Sequence, residues 1–524
     1  MVEVLEAAGP QLDEERPARS LLRHPALIVA VVVALLGVVL LLRLGALDRG
    51  GPAHIPVDLP NGAPATLYVQ GQLHDDEFPL PPPAGHRPPL VIVAHGYAAD
   101  QQIMSTIARS LAHAGYASLT FDFRGHGANT KAFRGDLDDD LAAAMTYAER
   151  SPYVDPSRIG LLGHSMGAFA VLDFATRDPR PKAVLPLSGG EFLNDANVPP
   201  HILLMAASGD PKPILDRQVA LERQLKGRTD VTRIVVGGKN HVTELWSNTT
   251  IKDTIGFFDR SLGVTRTGPT PGMHDPRLPT AVLYLLVAAV LAGFVGMAAG
   301  RLVPPQPSTS SGGAWIVLVA ALLVTMPLMA VGAPGLLPLS ENSVVTGLAL
   351  AGALVWATRW FALRQPQLAA HRWFGEGPWL PLRSVLVPGL AAAAALFVVL
   401  APLGAVFHRL IPTPERLVLW AAIALLVLPF FAAFEQIVRR GRTWPALGWG
   451  VLGRALIVGI VVLGVAAHTF PPVVAILIPI IVVLFVLLEI FGVPAYAAGA
   501  NPALLAVVDA VFIAWVVAIA IPIT

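Results

Sequence analysis

Nine apolar stretches, each close to the length needed to cross a bilayer, constrain this chain more than any other feature. The first runs from Pro25 to Leu42, and eight more follow Pro271, near 278–299, 314–334, 343–363, 384–406, 416–437, 446–468, 471–491 and 504–522. A bilayer core needs about 20 apolar residues, and only helices satisfy their own backbone groups there. Charged residues make up 14% of the chain against about 25% in soluble proteins. The polar segment 1–24 carries Arg16, Arg19 and Arg23 just before the first stretch, so 25–44 reads as an uncleaved anchor with a cytoplasmic N-terminal tail rather than a cleaved signal peptide. Alternating the later spans places Arg301, Arg359, Arg364, Arg372, Arg383, Arg439, Arg440 and Arg442 on the cytoplasmic side, with Arg277, Arg409 and Arg416 as exceptions. The expected arrangement is a multi-pass protein of the cytoplasmic membrane with 51–271 outside and a polytopic domain over 278–522. Arg in place of Lys, with much Ala, Val, Gly and Pro, suits a GC-rich bacterial genome.

Between 51 and 271 the texture is that of a soluble α/β domain. Short β-type runs at Leu90–Ala94, Ala117–Phe123, Arg158–Leu162, Ala183–Leu187, Ile202–Ala206 and Thr232–Val236 alternate with helical patterns at Ile103–Ala114, Leu137–Arg150, Met166–Thr176, Leu215–Leu225 and Thr249–Leu262. That alternation predicts a mostly parallel sheet covered on both faces, and Ile55–Leu59 and Ala65–Val69 add antiparallel edge strands. A net charge of +1 and the lack of a basic stripe give no support to nucleic-acid binding. With no cysteine, disulfides, thiolate nucleophiles and Cys-ligated zinc are excluded.

The chemistry centres on Gly163-His164-Ser165-Met166-Gly167, where a buried apolar run meets a helical pattern. In such a turn the glycines let the backbone fold back on itself while the serine oxygen stands exposed as a nucleophile. The N–H of Met166, with that of Tyr97 after the run Leu90–Ala94, is expected to form an oxyanion hole. His95 reads as a structural histidine and His164 as a packing residue. A base and its orienting acid are expected after later strands, and Asp210 and His241 follow two such runs, so Ser165, Asp210 and His241 are the expected triad. Glu191 is the rival acid, and Asp216 reads as a helix-surface charge. No cofactor or metal is needed for this chemistry.

These motifs, with His95-Gly96, Phe121-Asp122-Phe123-Arg124-Gly125-His126-Gly127 and Asp155-Pro156-Ser157-Arg158-Ile159-Gly160, make the segment from about Pro52 to Arg260 resemble the α/β-hydrolase superfamily. It looks most like the dienelactone-hydrolase and prolyl-oligopeptidase-like branches, which implies hydrolysis of esters, lactones or peptide bonds. Ser165 stands where the dienelactone enzymes use cysteine and the dehalogenases aspartate. Arg124–Gly127 reads as a loop-shaping turn. Only about a dozen residues separate Leu187 from His201, so a helical lid is not expected and the site should be open, shaped by short loops and by the membrane or the bundle.

Three functions follow. The first is a membrane-anchored serine hydrolase acting on an ester, thioester or lipid-like acyl substrate, with membrane lipids as its surroundings; the second is a transporter or membrane-assembly protein with an accessory hydrolase; the third is a serine peptidase. Glu435, Glu489, Asp509 and Arg454 lie in or near spans, and the charge-derived topology puts them towards the cytoplasmic boundary, where they read as snorkelling charges or an interfacial salt bridge rather than a transport pathway. Gly296-x-x-x-Gly300 suits close helix packing, and Gly448-x-Gly450-x-x-Gly453 lacks the preceding strand of a dinucleotide site. The oligomeric state is not legible.

Overall fold

The computed structural model describes residues 25–71, 79–83, 85–191, 197–303, 310, 312–330, 337–340, 342–439, 443–467 and 473–524. The N-terminal segment 1–24, with its three arginines, and Arg440 and Arg442 lie outside the described residues.

Helix α1 (Pro25–Arg49) leads into β1 (Ala53–Asp58), β2 (Pro64–Val69), β3 (Pro89–Ala94), α2 (Ser105–His113), β4 (Ala117–Phe121), α3 (Asp138–Arg150) and β5 (Asp155–His164). Then come α4 (Met166–Arg177), β6 (Ala183–Leu187), β7 (His201–Ala207), α5 (Lys212–Leu225), β8 (Asp230–Val236) and α6 (Asn248–Ser261). The strands form one eight-stranded sheet in the order β1-β2-β4-β3-β5-β6-β7-β8. β1 and β2 are antiparallel and the rest are parallel. Only β1 of the two antiparallel strands is an edge; Ala65–Val69, expected at an edge, is covered by β4 on its other side.

Alternation along the buried strands explains the two-faced core. Leu90, Ile92 and Ala94 of β3 pack into the cluster with α3 and α4, whereas Val91 and Val93 pack into the cluster with α2 and α6. The same division separates Ile202 and Leu204 from Leu203 and Met205 in β7. Strand order reverses between β3, which has β4 on one side, and β5 on the other, and a crevice opens beyond the C-terminal ends of strands at such a point.

The helices that follow are α7 (Arg277–Gly300), α8 (Ala314–Ala330), α9 (Asn342–Leu363), α10 (Leu382–Leu400), α11 (Pro414–Val438), α12 (Thr443–Ala466), α13 (Val473–Ala497) and α14 (Pro502–Ala520). Eight of the described helices, α1 among them, are long and apolar enough to cross a membrane, and α8 is a shorter apolar helix. α14 is the most enclosed. Gly296 and Gly300 let α7 press against α13, since a Cβ at either would lie 2.2 or 2.3 Å from the carbonyl oxygen of Phe491 or Ala495.

The ionisable residues of the bundle take the salt-bridged form, one of the two expected for them, and not the snorkelling one. Glu435, Arg439, Arg454, Glu489 and Asp509 are at most 9% exposed, so they do not snorkel. Arg439 bonds Glu435 (2.8 Å) and Glu489 (2.9 Å), and Arg454 bonds Glu489 (2.7 Å) and Asp509 (2.9 Å). The low-dielectric interior makes an unpaired charge far costlier than this internal pairing. Gly450 makes room for it: a Cβ there would stand 2.6 Å from Arg439 Nη1.

Candidate active site

β5 ends in a turn that only this local sequence tolerates. Ser165 takes φ 53° and ψ −116°, a strained backbone for a residue with a side chain. A Cβ on Gly163 would fall 2.0 Å from the Gly167 carbonyl oxygen, and one on Gly167 would fall 2.6 Å from the carbonyl oxygens of Ala94 and His95. The elbow is therefore pressed against the end of β3, and Ser165 N–H donates to Leu187 O at 2.9 Å, tying it to β6.

Three side chains from separate loops meet here. Ser165 Oγ lies 2.9 Å from His241 Nε2, and His241 Nδ1 lies 2.6 Å from Asp210 Oδ1. Asp210 follows β7 and His241 follows β8, and both are buried, while Ser165 is half-buried. The other Asp210 oxygen accepts from Ala207 N–H at 2.9 Å and from the Ser188 hydroxyl. With three donors the carboxylate is fixed in orientation, and so is the imidazole tautomer, Nδ1–H towards Asp210 and a bare Nε2 towards the serine.

The N–H of Met166 opens α4 ahead of its first intrahelical bonds, in which Ala168 and Phe169 N–H donate to Ser165 O. The loop after β3 passes alongside: a Cβ at Gly96 would lie 3.1 Å from Ser165 Cβ. Tyr97, next in sequence, places its hydroxyl 2.5 Å from Ser340 Oγ, and its ring packs against His126 and Phe133.

The neighbouring histidines have structural partners. His95 is fully buried, its Nδ1 is 2.8 Å from Gly96 O, and its Nε2 accepts from Phe123 N–H at 3.1 Å; burial brings its pKa down to about 4. His164 donates from Nε2 to His241 O at 2.8 Å, so it holds the main chain of the base, and burial lowers its pKa also to about 4. Arg124–Gly127 is a turn with Gly125 and Gly127 at positive φ, and a Cβ on Gly127 would strike the Asp122 carboxyl at 2.5 Å. The rival acid Glu191 is exposed and faces Arg217 at 3.5 Å, and Asp216 pairs with Lys212 on the surface of α5.

Two residues escaped the sequence reading. Ser188 (φ 50°) ends β6 and donates to Asp210. Glu244, in the turn after His241, is fully buried with both carboxylate oxygens lacking a hydrogen-bond partner, and its Oε1 lies 3.5 Å from His164 Nε2. Burial, reinforced by the Asp210 charge, holds its pKa well above the usual carboxyl range. Only its spacing after His241 could have flagged it. His164, His241 and Glu244 bring ligand atoms within 4.8 Å of one another, a spacing that a metal requires. Both nitrogens of His241 are nonetheless engaged by Asp210 and Ser165, so the set does not suit a resident ion. A cavity of about 580 Å³ lined by Gln70, His86, Tyr153 and Arg158 lies at the opposite, N-terminal ends of the strands and touches none of these residues.

The elbow at the end of β5 in a mostly parallel sheet defines an α/β-hydrolase domain, here fused to apolar helices. Residues 85–233 match the family model described as serine aminopeptidase, S33. An uncharacterised protein of Mycobacterium tuberculosis is 32% identical over 175 residues, covering 32% of this chain and 62% of its own length. A polyketide transferase of Penicillium crustosum is 32% identical over 151 residues, covering 28% of this chain and 47% of its own. The chain thus spans less than two thirds of the length of these relatives. Among solved structures, an esterase of Pyrococcus furiosus aligns at 17% identity and TM-score 0.33, covering 41% of this chain and 95% of its own.

Proposed function

We propose that the protein is a membrane-anchored serine hydrolase that cleaves an ester, thioester or lipid-like acyl bond on the extracytoplasmic side, through Ser165, His241 and Asp210. The observation that carries this reading is the continuous line from Asp210 through His241 to Ser165, at 2.6 and 2.9 Å. In the first half-reaction Ser165 Oγ attacks the acyl carbon as its proton passes to His241 Nε2, and the oxyanion accepts from Met166 N–H and Tyr97 N–H. The tetrahedral intermediate collapses, the leaving group takes the proton from His241, and an acyl-serine remains. Water then attacks the acyl-serine, giving its proton to the same nitrogen, and Ser165 leaves with it as the carboxylic acid departs. Ionised Asp210 stabilises the imidazolium in both halves.

The proposed sidedness rests on arginine placement, and two of the three arginines that run against it have a local explanation. Arg277 bonds Asp275 and Asp48, and Arg416 donates to main-chain carbonyls of the hydrolase domain. These two side chains serve the joint between sheet domain and bundle, whereas Arg409 reaches Asp100 only through its main-chain N–H and its exposed side chain remains an exception. The match to the S33 family model favours a peptidase as the second reading.

Hydrolysis of p-nitrophenyl esters and aminoacyl anilides by the detergent-solubilised chain tests the proposal. Ester turnover that disappears in Ser165→Ala supports it. Anilide turnover alone would favour the peptidase, and a cellular function lost in Glu435→Gln, Glu489→Gln or Asp509→Asn but kept in Ser165→Ala would favour the transporter.

A further inference from the structure

The bundle does more than anchor the hydrolase domain: it contacts the loops that flank the candidate active site. Helices α1, α7 and α11 have 25, 24 and 25 residues, about 36–38 Å at 1.5 Å per residue, against a hydrocarbon core of about 30 Å. Their ends therefore lie at headgroup depth. The bundle groups that hold the hydrolase domain in the contacts below lie at span ends of α1, α7 and α11 or in the segments flanking α9, α10 and α14.

At the C-terminal end of α1, Asp48 meets Arg277 (2.8 Å), the first residue of α7, and also Arg109 of α2 (3.1 Å). Ser340, just before α9, meets Tyr97. Between α10 and α11, Arg409 N–H reaches Asp100, and the ring of Phe407 packs edge-on against Trp246 at 5.5 Å between centroids. In the first turn of α11, Arg416 donates to Gly127 O (3.0 Å) and Gly125 O (2.6 Å). Beyond α14, Ile523 O accepts from Phe133 N–H at 2.6 Å.

Apart from Arg109 on α2, the hydrolase partners in these contacts are rim loops of the site. Tyr97 and Asp100 belong to the loop expected to supply an oxyanion donor, Gly125 to Phe133 to the loop beside it, and Trp246 to the segment after His241. The path from Ser165 to the span ends is short. It passes through Gly96, in contact with Ser165, to Tyr97 and along one tyrosine side chain to Ser340, less than about 20 Å in all with 3.8 Å between consecutive Cα atoms. The headgroup layer accounts for about 5–8 Å of that on each side of the core. A long acyl chain lifted by the remainder keeps most of its methylenes in the hydrocarbon, so only a small part of its transfer cost is incurred. The loop between α10 and α11 has interfacial character as well, with Ile411 59% exposed beside the exposed Arg409.

We propose that the substrate is an acyl ester carried by a membrane lipid, which reaches Ser165 along the face walled by Tyr97, Ser340 and Phe407 while its tail stays in the bilayer. This rests on the hydrolase reading above. The bundle then shapes the site beside the short loops, in line with the expectation that the membrane or the bundle would do so.

The test uses the full chain in phosphatidylcholine nanodiscs. Fatty-acid release from embedded dioleoylglycerol is compared with hydrolysis of soluble p-nitrophenyl butyrate, and fluorophosphonate labelling of Ser165 is followed in parallel. The proposal expects kcat/KM for the embedded ester to be higher by about 100-fold or more, the scale of gain from confining both partners. It also expects a photoactivatable diacylglycerol, with its diazirine near the ester, to mark Tyr97 or the 407–411 segment. Labelled Ser165 with equal or slower turnover of the embedded ester, or adducts confined to mid-span residues, would overturn the lipid substrate while leaving the hydrolase standing. Unlabelled Ser165 with neither ester cleaved would overturn both.

Discussion

Replacing Glu244 with glutamine tests whether the buried carboxyl behind the triad is neutral. It is fully buried, and its ligand atom lies within 4.8 Å of a ring nitrogen of His241. At that distance, with an effective dielectric constant of about 20, an ionised Glu244 would favour the imidazolium by about 3.5 kcal/mol. At about 1.4 kcal/mol per pH unit, it would push the acid limb of kcat/KM up by about 2.5 pH units and leave the free base about 300-fold scarcer at a given pH. Burial and the Asp210 charge raise the Glu244 pKa, which favours the neutral carboxyl, and a neutral carboxyl carries no such penalty. Glu244→Gln should therefore leave the acid limb within about half a pH unit of wild type, measured as kcat/KM for a short ester across pH 5–9. The sign for stability is separate. A carboxyl whose folded pKa is raised binds its proton more tightly in the native state, so its contribution is complete below about pH 4.3 and is lost as pH rises towards the folded value, at about 1.4 kcal/mol per unit. Glutamine escapes that loss, and the variant should inactivate more slowly on heating at neutral pH than wild type. An acid limb displaced downward by two pH units would show that Glu244 is ionised and would refute the reasoning.

Other outcomes follow from the same geometry. Asp210→Asn should lower kcat by about 10³–10⁴ with little change in KM, because an amide at that position favours the wrong imidazole tautomer; a loss below tenfold in steady-state assays would count against it. Ser188→Ala should cost less, about 10-fold in kcat, since Asp210 keeps Ala207 N–H and His241 as donors when one charge-assisted hydrogen bond worth about 1.5–3 kcal/mol is removed. Gly163→Ala should reduce the yield of folded protein, as its Cβ has 2.0 Å of room from the Gly167 carbonyl; normal expression and melting would contradict the tight elbow. The chain has no cysteine, so single cysteines report sidedness directly: in intact cells an impermeant maleimide should label Lys226→Cys on the hydrolase domain and spare Gln367→Cys between α9 and α10.

Legibility in the sequence followed the range of the forces involved. Strands such as Ala183–Leu187 and helices such as Met166–Arg177 could be placed because burial imposes a local period on the residues. The meeting of Ser165, Asp210 and His241, up to 76 positions apart in sequence, was legible because each follows a short apolar run that must end at the same edge of a parallel sheet. Ser188 and Glu244 were not, since a serine at a strand end and a glutamate in a turn have no local mark of burial. For a related reason the sequence leaves the bundle charges open between snorkelling and a salt bridge. Hydropathy gives depth along a span, but whether Arg454 turns to the lipid boundary or to Asp509 on another helix depends on packing that no single segment encodes. Arg277 and Arg416 looked like topological exceptions because their partners, Asp48 and the Gly125–Gly127 turn, are hundreds of residues away or presented only by the folded loop.

The most direct measurement of the central claim is mass-spectrometric mapping of the adduct formed when the intact membrane protein is treated with a fluorophosphonate. The account predicts a single modified serine at position 165, with the rate of modification reduced in His241→Ala and abolished in Ser165→Ala. Equal labelling of all three proteins, or an adduct on another serine, would contradict it.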